Sequence, residues 1–358
     1  MNNVLRQFSM KGEPVYCERY GSGHINKTYD IKTTEGKRYI LQRINDSIFK
    51  NVDVLMNNIV LVTEHLKKVA PKEQKILSLI NTKNGGSYYK DEYGNFWRMW
   101  KFIGKSVCLN RPESLEDFYQ SALAFGNFSK QLSNFDASLL SETIPDFHNT
   151  PMRYTQLHAA IAANKSGRAK DVQAEIDFAL ARENDAHAMV DMASKGELPL
   201  RVTHNDTKLN NVMLDKKTRK PLCVIDLDCV MPGLLGNDFG DSIRFGASTA
   251  EEDEQDLQRV HLDLDYFEAY TKGFLEACAN SMTQEEIDTL PTAAKLMTLE
   301  CGIRFLADHI NGDIYFSTSR SGHNLDRART QFQLVKEMEE QHEAMLAIVH
   351  KYAKKYKK

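Results

Sequence analysis

The run Val202-Thr203-His204-Asn205-Asp206-Thr207-Lys208-Leu209-Asn210-Asn211-Val212-Met213-Leu214 leads through residues 215–220 into Pro221-Leu222-Cys223-Val224-Ile225-Asp226-Leu227-Asp228. Apolar stretches at 212–214 and 222–225 flank a polar, basic turn, a pattern that predicts a β-hairpin. Antiparallel pairing then fixes what meets at the open end. Asn211 enters the first strand and Asp226 leaves the second, so both sit there, beside the loop that carries Asp206. One amide and two or three carboxylates converge. Oxygen donors of this kind suit Mg²⁺, which takes one or two carboxylates together with substrate phosphates.

Phosphoryl transfer needs such a set. A metal neutralises phosphate charge, and a carboxylate orients the attacking hydroxyl and accepts its proton. The protein-kinase loop H-R-D-L-x-x-x-N spaces its Asp and Asn as Asp206 and Asn211 are spaced, and His204 stands two before the Asp. Each fragment alone is weak: His-x-Asp is common, Asn210-Asn211 suits a turn, and Asp226 suits a helix cap. The combination of loop, Asn, hairpin and Asp carries the reading. Lys208 places a positive charge where it would stabilise a transferring group, or it is a solvated loop lysine. Asp238-Phe239-Gly240 spells the protein-kinase metal motif, but residues 233–237 before it read as a loop. The metal is therefore assigned to Asn211 and Asp226.

Six segments carry the pattern: Tyr20-Gly21-Ser22-Gly23-His24-Ile25-Asn26-Lys27-Thr28-Tyr29, Arg38-Tyr39-Ile40-Leu41-Gln42, residues 200–215, Ile225-Asp226-Leu227-Asp228, Asn237-Asp238-Phe239-Gly240-Asp241-Ser242-Ile243-Arg244-Phe245-Gly246-Ala247-Ser248, and Cys301-Gly302-Ile303-Arg304-Phe305-Leu306-Ala307-Asp308-His309. On these the chain resembles the aminoglycoside phosphotransferase and choline kinase superfamily, relatives of protein kinases. Within it the chain resembles the bacterial N-acetylhexosamine 1-kinases over nearly its whole length. The resemblance implies an α+β, protein-kinase-like bilobal fold, ATP and Mg²⁺ as cofactors, and direct transfer to the 1-hydroxyl of GlcNAc or GalNAc. It implies Asp206 and Lys208 as catalytic residues, with Asp206 also touching the acceptor. Arg304 and Tyr315 are implied for the sugar, with Arg244 and Asp308 as further candidates. Asp228 reads either as reaching a second face of the metal or the sugar, or as making a hydrogen bond inside the loop; the resemblance implies Asp238 as a tie on the catalytic loop.

On the nucleotide side, glycines let backbone approach phosphate. Gly21, Gly23, His24 and Asn26 suit either an ordinary hairpin turn or a phosphate cradle, and the resemblance favours the cradle. Protein kinases pair a strand lysine with a helix glutamate. Here the strand position resembles Gln42, and the helix position Asn58 or Glu64, so the usual lysine is missing. Lys101, Phe102 and Ile103 resemble the hinge whose backbone reads adenine. Glu300, Arg304 and Asp308 lie at i, i+4, i+8, which also describes a helix ion-pair ladder.

Around these motifs the chain changes character. Aromatic and β-branched runs predict a hairpin over 29–43 and a second one over 87–103, with a helix over 53–68 between them. Helical stripes follow from 115, and over 171–193, 263–278, 292–310 and 330–352, interrupted by the β-rich 200–231. The expected organisation is a nucleotide-binding lobe over 1–104 with its hinge at 101–104, then a catalytic and sugar-binding lobe over 105–358.

The 358 residues carry 46 Lys and Arg against 49 Asp and Glu, a net charge of −3, which argues against a nucleic-acid partner. Lys354-Lys355-Tyr356-Lys357-Lys358 reads as a solvated helix end. Six unpatterned cysteines fit a reducing cytoplasm, and no apolar run suggests a signal peptide or membrane span. A cytoplasmic monomer is expected. A same-fold kinase for choline, homoserine or an aminoglycoside is the first alternative, although arginines in the pocket disfavour cationic acceptors. A non-catalytic nucleotide-binding regulator is the second, and a carboxylate-pair glycosidase leaves the Asn and the hairpin without a role.

Overall fold

The computed structural model describes residues 1–21 and 25–358. Strands β1 (Pro14–Arg19), β2 (Lys27–Thr33), β3 (Arg38–Arg43), β4 (Tyr89–Lys90) and β5 (Phe96–Lys101) form one antiparallel sheet in the order β1-β2-β3-β5-β4. β2 and β3 are the expected first hairpin, turning at Gly36 with φ 68°, a left-handed conformation that glycine adopts without a Cβ clash. The second hairpin is shorter than its sequence suggested, since only Tyr89 and Lys90 pair with β5. β1 had no sequence signal: it is a largely exposed edge strand with little alternation, and it starts at a proline, which an edge tolerates.

Strand alternation sorts the sheet into two faces. Tyr39, Leu41, Trp97 and Met99 pack on Val4, Leu5 and Phe8 of the N-terminal segment. Ile40 and Trp100 point the other way, toward the helix Val52–Val69. That helix is capped by Asn51, which accepts the Val54 N–H. Its buried stripe of Leu55, Ile59, Val62 and Leu66 joins Phe125, Phe128, Val212 and Leu214 in one apolar cluster. The core therefore runs from the sheet into the helical part without a break.

After β6 (Ser106–Val107) helices dominate, as expected of an α+β chain with a β-rich N-terminal region. β7 (Arg201–Thr203), β8 (Val212–Asp215), β9 (Pro221–Val224) and β10 (Met231–Gly233) are the exceptions. β8 and β9 are the predicted hairpin, with Val212 opposite Val224, and β6 adds a third strand to it. β7 pairs with β10 in a separate ladder.

Three sequence expectations need correction. The stripe over 171–193 is three pieces, the α-helices Gln173–Leu180 and Ala188–Ser194 and between them a 3₁₀ segment, Glu183–His187, which holds the polar Asn184-Asp185, whose short side chains disfavour an α-helix interior. The stripe over 330–352 is two helices, His323–Glu340 and His342–Tyr356, interrupted at Gln341. The supposed loop at 233–237 runs into a helix, Leu235–Gly246. Its three glycines lower helix propensity, but packing requires all three, Gly246 against the Phe118 ring and the other two against a neighbouring helix. A Cβ at Gly240 would stand 2.5 Å from Ala293 O, and one at Gly236 2.9 Å from Ala293 Cβ, so the glycines let this helix press against Leu290–Asn311. Among the described residues no helix is long and apolar enough to cross a membrane.

Candidate active site

The loop after β7 is held from below. The backbone N–H groups of His204 and Asn205 donate to the two oxygens of Asp238 at 2.8 and 2.7 Å. Thr207 N–H donates to Asp241 Oδ2 at 2.9 Å, and its hydroxyl to Asp238 O at 2.6 Å. Both aspartates belong to the glycine-rich helix Leu235–Gly246, so the helix packing just described sets the loop height. The His204 ring lies edge-on to Phe125 and Phe128, and its Nε2 reaches Ile225 O at 2.9 Å. Asp238 is buried with both oxygens engaged and does not face the cleft.

This leaves Asp206 partly open to solvent. Lys208 Nζ lies 3.1 Å from its Oδ1, and Asn211 Nδ2 donates to its Oδ2 at 3.1 Å and to its backbone oxygen at 2.8 Å. The field of Asp206 is the main reason the Lys208 ammonium is held well above the usual lysine value, against the cost of burial. Asn211 O accepts the Ile225 N–H at 2.9 Å, which closes the open end of the hairpin. Asp226 follows at once, in a left-handed conformation of φ 60° and ψ 61°. Its residue is exposed to solvent, although protein atoms crowd its carboxyl closely enough to desolvate it in part. That desolvation, then the fields of Asp228 and Asp206, push its carboxyl up to about 7, opposed by Arg98 and Lys208.

Asp206, Asn211 and Asp226 are thus gathered at one end of the hairpin. Mutually repelling carboxylates are the environment that a divalent cation relieves. Among the described residues no three His, Cys, Asp or Glu side chains form a metal cluster of their own. An Asn oxygen and the Asp226 carboxylate suit a cation that brings its remaining oxygens from a phosphate ligand and water.

The nucleotide side departs from expectation. Gly23 and His24 lie outside the described residues. Gly21 has φ 74° and open space where a Cβ would be. Asn26 is buried; its Nδ2 donates to Asp228 Oδ2 at 2.6 Å and its Oδ1 accepts the Asn45 N–H at 3.0 Å, so the amide ties protein to protein. Gln42 does not meet the helix Val52–Val69. Its Oε1 accepts from Arg98 Nε at 2.9 Å and Trp100 Nε1 at 2.8 Å. Asn58 instead binds Ser141 and the Val230 carbonyl. Lys101 N–H donates to Ser78 O and Phe102 N–H to Arg38 O, while Ile103 O accepts from Ser106; the Phe102 ring lies 3.7 Å beneath the Arg38 guanidinium.

On the acceptor side the candidates separate. Asp228 is buried and faces the N-terminal sheet, forked by Arg98 at 2.5 and 2.9 Å. Arg244 is buried between Asp241 and Glu252. Asp308 accepts the backbone N–H groups of Ile314, Tyr315 and Phe316 at 2.8–3.0 Å and Asn324 Nδ2 at 2.9 Å, so its carboxylate is spent on shaping that turn. The helix ion-pair ladder does not form. Glu300 pairs with His148 and Thr150, and His148 reaches on to Asn205 O at 3.2 Å. Arg304, with no ion-pair partner among the described residues, stands 5.4–5.9 Å from the centres of three rings, Phe147, Tyr315 and Phe316. Tyr315 is exposed.

Sequence reasoning missed Arg98 and the chain Glu300–His148–Asn205. Arg98 had a usable signal, since β3 and β5 pair with Gln42 directly opposite Arg98. His148 had none, lying outside every periodic segment.

Residues 17–273, more than half of the chain, match the profile of the phosphotransferase enzyme family. Among solved structures the fold is similar to a microcompartment-associated aminopropanol kinase, with a TM-score of 0.64 and 13% identity over 96% of this chain and 97% of that one. It is similar to an aminoglycoside phosphotransferase from Alicyclobacillus acidocaldarius, with a TM-score of 0.63 and 12% identity over 99% and 96%. An amicoumacin kinase in complex with AMP-PNP and Ca²⁺ aligns with a TM-score of 0.59 and 12% identity over 92% and 91%. Identities this low speak to the fold alone. The profile match adds the family, and the chain belongs to the phosphotransferase enzyme family.

Proposed function

We propose that the protein is a kinase that moves the γ-phosphoryl group of ATP directly to the 1-hydroxyl of an N-acetylhexosamine, GlcNAc or GalNAc. The observation that carries this is the Asp206 carboxylate, flanked by Lys208 and Asn211 at 3.1 Å beside Asp226. Asp206 orients the acceptor hydroxyl and takes its proton, a role worth about 10²–10⁴-fold. Lys208 offsets charge on the transferring group. Asn211 and Asp226 would hold Mg²⁺, which when bound neutralises the triphosphate. The turn at Gly21 and the segment 101–103 flank the nucleotide.

Arg304 favours an oxygen-rich acceptor over an amine. A guanidinium with no ion-pair partner among the described residues, framed by Phe147, Tyr315 and Phe316, repels an ammonium group and donates to sugar or amide oxygens, while the rings cover an apolar sugar face. Arg244 and Asp308 support this pocket: one braces Asp241, the other shapes the turn of Tyr315. The rival reading keeps the fold and takes an amino alcohol or aminoglycoside, as the names of the similar structures would suggest.

Phosphorus NMR of reactions with ATP, Mg²⁺ and a panel of GlcNAc, GalNAc, ethanolamine, aminopropanol and an aminoglycoside decides between them. A sugar 1-phosphate is expected. Phosphorylation of the amines alone, or a 6-phosphate product, rules the proposal out. Asp206→Asn is expected to lose turnover with ATP affinity retained.

A further inference from the structure

The strand position that resembles the kinase lysine holds a neutral Gln42, yet the site is not short of an N-terminal cation. Arg98 lies directly opposite Gln42 on β5, and strand alternation gives both side chains the face turned toward the helical part. Arg98 is the largest fully buried side chain of the chain's described residues, 1% exposed. Every nitrogen of its fork is engaged: Nε donates to Gln42 Oε1 at 2.9 Å, and the two terminal nitrogens donate to Asp228 at 2.5 and 2.9 Å. Asn26, from the β1–β2 connection, adds a donor to the same carboxylate at 2.6 Å. The Trp100 ring lies 5.3 Å from the guanidinium.

The partners come from two parts of the fold. Gln42, Arg98 and Asn26 belong to the N-terminal sheet region, and Asp228 to the turn after β9. A buried ion pair of this kind resists separation, because parting it strands a charge on each side. The turn it grips is the one that presents Asp226, two residues earlier, in a left-handed conformation. Asp228 faces the sheet while Asp226 faces the cleft, so the grip on one sets the aim of the other.

We infer that Arg98 is a positioning residue for phosphoryl transfer, a latch that acts through Asp228 to hold the Asp226 turn in register with the sheet above the nucleotide. The inference rests on the kinase reading above. Arg98 does not serve as a phosphate contact in this arrangement, because the side chain is buried and Nε and both terminal nitrogens are already turned to Gln42 and Asp228 inside the protein. Gln42 is then a buttress: a neutral oxygen there fixes the guanidinium, where a lysine would compete for Asp228.

The test is the Mg²⁺ dependence of ATP affinity, read by titration calorimetry without any acceptor, for wild type, Arg98→Lys, Arg98→Met, Asp228→Asn and the Arg98→Met/Asp228→Asn pair. Residues that orient a metal's ligands change metal affinity about 10–100-fold when removed. Arg98→Met is expected to raise the half-saturating Mg²⁺ concentration by that factor, with metal-free ATP affinity within about twofold of wild type. Arg98→Lys should recover part of the loss. The double variant should be no worse than the poorer single one, since both break one contact. An unchanged Mg²⁺ requirement in Arg98→Met overturns the latch. So do losses that multiply in the double variant, which would mean that Arg98 acts on phosphate independently. Should Arg98→Met not fold, Arg98→Lys and Asp228→Asn carry the same comparison. A wild type that binds no Mg·ATP removes the kinase reading itself, whereas one that binds it but phosphorylates no sugar leaves this test intact.

Discussion

Asp238 Oδ1 receives the backbone N–H of Asn205 at 2.7 Å, and Asn205 directly precedes Asp206. The carboxylate that spells a metal motif is therefore a foundation for the loop. Asp238→Ala would leave two buried amides, His204 and Asn205, without acceptors, at roughly 1–3 kcal/mol each. Urea denaturation should show that loss together with a fall in kcat. Asp226→Ala should behave in the opposite way, with metal-dependent turnover gone and stability kept. If Asp238→Ala keeps its stability while losing metal, the assignment of the two aspartates is reversed.

The hairpin and its cluster were legible because a short strand pair leaves few choices: once 212–214 and 222–225 are strands, Asn211 and Asp226 must meet. The helix Leu235–Gly246 was not legible, because its glycines serve a contact with Ala293 that lies far away in sequence. The same limit hid the partners of Asp228 and Asp308. Sequence supplies a carboxylate, but only tertiary structure says whether backbone amides, as at 314–316, or a guanidinium, as at Arg98, have already claimed it.

Gly240 gives a direct test of that packing. A Cβ there would meet Ala293 O at 2.5 Å and Met297 Cγ at 2.8 Å, and a backbone oxygen cannot swing aside. Gly240→Ala should cost about 1–3 kcal/mol by overpacking. Because Asp238 and Asp241 ride on the same helix, kcat should fall with the melting temperature. An alanine variant with wild-type stability would mean that the two helices separate freely.

Glu300 should make stability depend on pH. It is buried, which works against its charge, but the His148 hydrogen bond and field, then Arg304 and Arg153, outweigh burial and hold its carboxyl below the usual glutamate value. A lowered carboxyl stabilises the fold fully above its unfolded value of about 4.3, and this contribution fades as pH falls through the folded value. The stability gap between wild type and Glu300→Gln, measured by urea denaturation, should be widest near neutrality and narrow on acidification below about pH 4.5. A gap that grows in acid contradicts the assignment.

On the proposed reading, Arg304 serves acceptor binding and not nucleotide binding. Its guanidinium faces three rings and forms no ion pair among the described residues, although the field of Glu300 reaches it. Its neighbour one turn back, Glu300, is committed to His148 and through it to Asn205 O, so Arg304 is anchored to the helix that braces the catalytic loop. Arg304→Met keeps much of the side chain's bulk and removes only the donors and the charge. Binding that is equal in ground and transition states raises KM without changing kcat. The expected outcome is a sugar KM raised about tenfold or more, with ATP KM unchanged and a smaller change in kcat. The loss corresponds to roughly 1.5–3 kcal/mol for a hydrogen bond from a charged donor. Arg304→Lys should recover less than half of it, because an ammonium lacks the planar fork and stacks poorly on the three rings. A variant that instead gains turnover on an amine acceptor would show that the guanidinium also excludes cations. A variant whose sugar KM does not move would place the sugar elsewhere in the cleft.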